Sequence, residues 1–138
     1  MRQRLFSIAV LLLPPCLAAL PATAQASRAE RLAQFLQYAG APVAQIHYFR
    51  LDGFETLSDD TIAVWTGVNR VYLIKLRSCP ELNYANAISL SGSPTHQFTQ
   101  SFGTVNVGQS RCMVESIRPV DYKAMRNAGK ASDQEPGR

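Results

Sequence analysis

Between residues 40 and 44 the spacing of apolar side chains changes from helical to every second residue, and the shorter period persists to about residue 117. No other feature restricts the fold as much, because one period suits a helix with a single buried stripe and the other suits strands. Ahead of the change, Leu32, Phe35, Leu36 and Ala39 recur at three- and four-residue intervals, with Arg28, Arg31, Gln34 and Gln37 between them. This predicts a helix over about 28–39. Ser27-Arg28-Ala29-Glu30 has the reciprocal capping pattern that opens a helix, and Gly40 with Pro42 closes it. A lid packed on a sheet is the expected role of its buried stripe.

Beyond the change, short runs of branched and aromatic residues at 46–51, 61–66, 71–76, 88–91, 104–107 and 111–117 read as strands. Asp52-Gly53 ends the first. Gly67-Val68-Asn69-Arg70 and Gly108-Gln109-Ser110 have the composition of hairpin loops, the former with Gly and Asn available for positive backbone angles. Ser91 to Gln97 reads as a polar surface loop. In the run from Val71 to Leu76 both alternating sets are apolar, so that strand should be central with both faces covered, and Lys75 should mark an exposed end. The expectation is an α+β domain: an N-terminal helix packed on an antiparallel sheet of about six short strands. Spacing leaves open whether the sheet is open, folded over or barrel-like. A brief helix is expected over Asp121 to Arg126, then a polar tail over 129–138.

The first 26 residues carry the order of an export signal: Arg2 and Arg4, an apolar run from Leu5 to Leu13, then Ala22-Thr23-Ala24 and Ala24-Gln25-Ala26. The run is too short to span a bilayer, and Pro14-Pro15 interrupts it. Cleavage after Ala24 and cleavage after Ala26 both fit, leaving one domain over 27–128. No transmembrane segment is expected after cleavage. Anchoring through Cys16 is not expected either, since Leu13-Pro14-Pro15 lacks the small residues of a lipidation site. Removal of the leader leaves Cys79 and Cys112 as the only cysteines. In an oxidising compartment two such thiols pair, and the predicted disulfide closes a loop worth about 3 to 4 kcal/mol by the chain-entropy model.

Loss of Arg2 and Arg4 reduces fourteen basic residues to twelve, against ten acidic ones. The remaining cations, among them Arg50, Arg70, Lys75, Arg77, Arg111 and Arg118, are scattered singly, which argues against nucleic acid as a partner. Zinc needs four ligands, and only His47 and His96 accompany the two cysteines, so no metal and no cofactor are expected. The cysteines also lack the two-residue spacing of a redox pair.

No reaction centre is legible. Gly108-Gln109-Ser110-Arg111-Cys112 lacks the second glycine of a nucleophile turn, there is no glycine-rich phosphate loop, and Asp59-Asp60 reads as a solvated strand start. His96 falls in a polar loop. The candidate binding residues are Trp65, Tyr48 and His47. Rigid rings with a polar edge favour recognition, and Trp65 points away from the side shared by Ile62 and Val64.

Cys79-Pro80-Glu81-Leu82 followed by Ala85, Ala87, Ile88 and Leu90, then Phe102, Val105, Val107, Cys112, Ile117 and Pro119-Val120-Asp121, resembles an uncharacterised family of small exported proteins of Gram-negative bacteria. The segments Asp60 to Trp65 and Tyr72 to Leu76 are similar too, so the resemblance covers about residues 45 to 122. It implies a common disulfide-tied domain and carries no activity or catalytic residue. Where the pattern suggests aspartate after Phe102 the chain has Gly103, expected to loosen the turn there. The functional expectation is a periplasmic, non-enzymatic domain, monomeric or weakly associated, that binds an envelope protein or a small molecule. The alternatives are a small hydrolase-like envelope enzyme using His47 or Asp60, and a structural subunit with an exposed apolar patch or strand edge.

Overall fold

The computed structural model describes residues 23–92 and 95–133. Most of the expected leader, Cys16, Ser93-Pro94 and the end of the expected tail lie outside the described residues. Helix α1 spans Thr23–Gln37 and α2 spans Tyr122–Asp133. The strands are β1 (Gln45–His47), β2 (Gly53–Thr56), β3 (Thr61–Gly67), β4 (Arg70–Arg77), β5 (Ile88–Ser91), β6 (Gln97–Thr99), β7 (Thr104–Val107) and β8 (Ser110–Val120). Six form one antiparallel sheet in the order β2-β3-β4-β8-β7-β5, which curls as a half-barrel; β1 and β6 form a separate antiparallel ribbon.

The α+β architecture is as expected, with local corrections. The predicted first strand stops at His47 and joins the ribbon, whereas Gly53 to Thr56, downstream of the expected turn, forms the edge strand β2. The partner of β1, β6, starts at Gln97, the last residue of the expected polar loop; the inward Ile46 and Phe98 make the pairing worthwhile. Helix α1 starts at Thr23, because the alanine-rich approach is itself helix-forming, so Ser27 lies a turn inside the helix. Of its predicted buried stripe, Phe35 is fully buried and Leu36 is 43% exposed. The N-terminal helix is not the sole cover: α2 lies on the same face through Met125 and runs to Asp133, into the expected tail.

The β3–β4 hairpin forms where expected, but through a bulge between Trp65 and Gly67 rather than positive backbone angles at Gly67 or Asn69. In the β7–β8 hairpin Gly108 does take a positive φ of 57°, and the Glu81 carboxylate caps the loop by accepting from the Gln109 amide. Strand β8 continues through Pro119 because Gly40 donates to the Pro119 carbonyl at 2.7 Å on the side away from β4. The missing proline donor falls on that same side and costs no β4–β8 bond. Gly103 tightens its turn instead of loosening it. Its amide donates to Thr99 O at 2.7 Å, and a Cβ there would strike Thr99 O and press on the Phe98 ring.

Each face of the sheet has its own core. On one, Ile62, Val64, Ile74, Leu76, Val114 and Ile117 pack with Ile46 and Phe98 of the ribbon and with Leu82 of a 3₁₀ turn. The Cys79–Cys112 disulfide sits in this core and joins the end of β4 to β8. On the other, Ala63, Val71, Leu73 and Val120 lie against Phe35 and Met125. β4 is central and buried on both faces, as its pattern predicted, with Lys75 exposed.

Candidate functional site

The three aromatic and histidine candidates do not converge. Trp65 does point away from Ile62 and Val64, but that side carries the helices, and the indole stands edge-on to Phe35 at 6.0 Å and to Tyr122 at 5.6 Å. Tyr48 packs on the ribbon side, edge-on to Phe98. Its hydroxyl donates to Leu90 O at 3.0 Å, and burial pushes the phenol above its ordinary pKa. His47 is exposed and borders a shallow groove with Gln45, Arg70, Tyr72 and Pro119. His96, at a positive φ of 58°, lies beside the exposed Phe49 ring. Asp60 lines a different cleft from His47.

That second cleft has the most differentiated chemistry. It opens on the helix face where α1 diverges from β4 and β8, holds about 350 Å³, and is lined by Leu32, Leu36, Asp60, Thr61, Leu73, Lys75, Ser116 and Arg118. Alternation along the strands places these groups. Leu73 and Lys75 point to the helix face of β4, directly opposite Arg118 and Ser116 of β8. Leu32 and Leu36 sit four residues apart on α1 and therefore on one side of it. Arg31 fixes the helix in place, pairing with Glu55 of β2 at 3.0 Å while its guanidinium lies 4.8 Å over the Phe35 ring.

Fixed charge surrounds the apolar floor. Asp60 Oδ1 accepts from the hydroxyls of Ser58 at 2.7 Å and Thr61 at 2.8 Å, and Oδ2 faces Lys75 Nζ at 3.9 Å. Burial works to raise the Asp60 pKa, but the two hydroxyls and the Lys75 charge outweigh it and hold the carboxyl below its ordinary value. Lys75 also lies 3.8 Å from Glu115, so both of its carboxylate neighbours are in ion-pair range and outside hydrogen-bond reach. Arg118 donates through Nε to Gly40 O at 2.8 Å and through Nη2 to Ala39 O at 3.4 Å, anchoring the chain leaving α1.

An adjoining cleft shares Leu32 and Asp60 and continues to Arg28, Asp59, Asn83 and the exposed Tyr84. Asp59 accepts from Asn83 there, and Asn83 accepts from Arg28, so the two neighbouring aspartates serve different partners. Among the described residues no three His, Cys, Asp or Glu side chains gather so as to hold a metal ion. No helix among them is long and apolar enough to cross a membrane.

Lys75, Ser116 and Arg118 were absent from the sequence-based site candidates. No local pattern places them together, because a register shift between Lys75 and Leu76 separates their pairing from the one nearest the disulfide.

A family of unknown function, DUF6491, matches the chain over residues 1–136. The chain belongs to this family. The match extends the resemblance read over about 45 to 122 to nearly the whole sequence, and DUF6491 brings no activity to the cleft. No curated protein and no solved structure matches the chain.

Proposed function

We propose that this member of DUF6491 is an exported domain of the Gram-negative cell envelope that binds its ligand without converting it, through the cleft between α1, β4 and β8. The observation that carries this reading is the lining of the cleft, an apolar floor of Leu32, Leu36 and Leu73 bordered by Lys75, Arg118 and Asp60. Asp60 there has one oxygen on two hydroxyl donors and the other facing Lys75 at 3.9 Å, which holds the carboxylate charged beside its cation. An apolar floor ringed by fixed polar groups is the composition of a recognition site. Export to the periplasm is supported by the order of the leader and by a buried disulfide, which needs oxidising surroundings to form.

Fractionation of cells expressing the full chain, followed by alkylation under denaturing, non-reducing conditions, tests the location. The expected product is a shortened periplasmic chain with no free thiol at Cys79 or Cys112; a full-length cytosolic chain with both alkylated overturns export. For the site, a fragment library screened by protein-observed NMR should give hits whose shifts centre on Leu36, Leu73, Lys75 and Ser116. Hits confined to other surfaces overturn the assignment of the cleft. Hydrolase turnover abolished by Asp60→Asn in a protein that stays folded would establish an enzyme instead.

A further inference from the structure

We infer that the cleft takes a small amphiphile with a single carboxylate head and a short apolar body, the head between Lys75 and Arg118 and the body over Leu32, Leu36 and Leu73. This rests on the cleft being the binding site and adds the ligand's chemical class.

The hydrogen-bonding balance of the site sets the sign of the head. One Asp60 oxygen is committed to Ser58 and Thr61, and the other faces Lys75 at 3.9 Å without a hydrogen bond. Donors are in surplus. The Lys75 ammonium carries three N–H groups and has its carboxylate neighbours only at 3.8 and 3.9 Å, beyond hydrogen-bond reach. Arg118 uses Nε and Nη2 on two backbone carbonyls, and its fork has five N–H groups in all. The two cations stand on adjacent strands on the same face, diagonal neighbours in the register, so one anionic group can meet both. An acceptor-bearing ligand completes this site; a donor-bearing one would compete with Lys75 for Asp60 and Glu115.

The same carboxylates limit the head to one charge. Among the residues lining the cleft the cations Lys75 and Arg118 exceed the one carboxylate, Asp60, so a single carboxylate head brings the lining to neutrality, while a dianionic phosphate would overshoot it and set its second charge near Asp60 and Glu115. These ion pairs are nearly half exposed and long, so Lys75 can shift toward a ligand at little cost. The apolar side is equally specific. Leu36 is 43% exposed on a helix whose neighbouring Phe35 is fully buried, and Leu36, Leu32 and Leu73 border the same space. A volume of about 350 Å³ lies at the small end for ligand sites and suits a short chain or one ring.

The test compares three probes with one tail, octanoate, octylammonium and 1-octanol, below micelle formation, against the full chain at pH 7 by protein-observed NMR titration. The expected result is octanoate binding at least tenfold tighter than either counterpart, with shifts at Leu36, Leu73 and Ser116. Lys75→Gln should weaken octanoate about tenfold and leave 1-octanol unchanged, and added salt should weaken octanoate in the unmodified protein. If octylammonium or 1-octanol binds in the cleft as tightly as octanoate, the carboxylate inference falls and the binding site stands. If an octyl phosphate binds tighter than octanoate there, the single-charge argument falls. If no probe shifts the cleft residues, both the inference and the site assignment fall.

Discussion

The two faces of the β3–β4–β8 sheet begin from the same alternation and end with different covers. On the ribbon side, thirteen buried residues form one cluster, and the ribbon, the 3₁₀ turn and the disulfide close over it. On the helix side only seven buried residues cluster, and the cover stops where Lys75, Ser116 and Arg118 replace apolar side chains. The difference teaches how one sheet can be closed over on one face and left open on the other. Charge on a strand stops close packing, because burying it unpaired is costly, and leaves a cleft at the boundary. The covalent tie and the largest core stand on the opposite face, so the open face can vary without endangering the fold.

The sharpest way to break this comparison is Phe98→Ala. Phe98 is fully buried, so its truncation should cost about 3 to 5 kcal/mol in urea denaturation. A cost under about 1 kcal/mol would mean that the ribbon does not share the main core. Replacing Cys79 and Cys112 together by alanine should cost about 3 kcal/mol and leave the NMR shifts around Leu73 and Ser116 in place. Large changes in the cleft would show that the two faces are coupled.

Asp60→Asn should lower stability by about 0.5 to 1 kcal/mol at pH 7, given how exposed its partners are. Because the folded carboxyl titrates below its ordinary value, its stabilisation is present above that value and is lost as pH falls through the folded pKa. The gap between variant and parent should therefore close in acid, below about pH 4. A gap that persists there would assign the effect to shape instead of charge. Leu36→Ala should change stability by no more than about 0.5 kcal/mol, since the side chain stands at a rim. A loss approaching that of Phe98→Ala would give the two faces equal weight.

How much was legible can be followed residue by residue. The runs at 88–91 and 104–107 are strands with those bounds, and the hairpin after Gly67 forms, because alternation and turn composition act within a few residues. The ribbon was not legible: β1 and β6 lie some fifty residues apart, and each is too short to show a period. Leu36 was assigned to the core because helical spacing reports which side a residue is on and not how far the partner surface extends. Trp65 illustrates the same limit, since its direction was correct and its cover, Phe35 and Tyr122, comes from both ends of the chain.

By itself the sequence determined the α+β class and the central place of β4, which follow from local periods, and it pointed to the pairing of Cys79 with Cys112 through the expectation that Cys16 leaves with a cleaved leader. Only the tertiary structure decided that Lys75, Ser116, Arg118 and Asp60 border one space with Leu32 and Leu36. Those residues come from four separate segments, and their meeting depends on how far α1 extends over the sheet. That extent is a balance of packing across distant contacts, which no local pattern records.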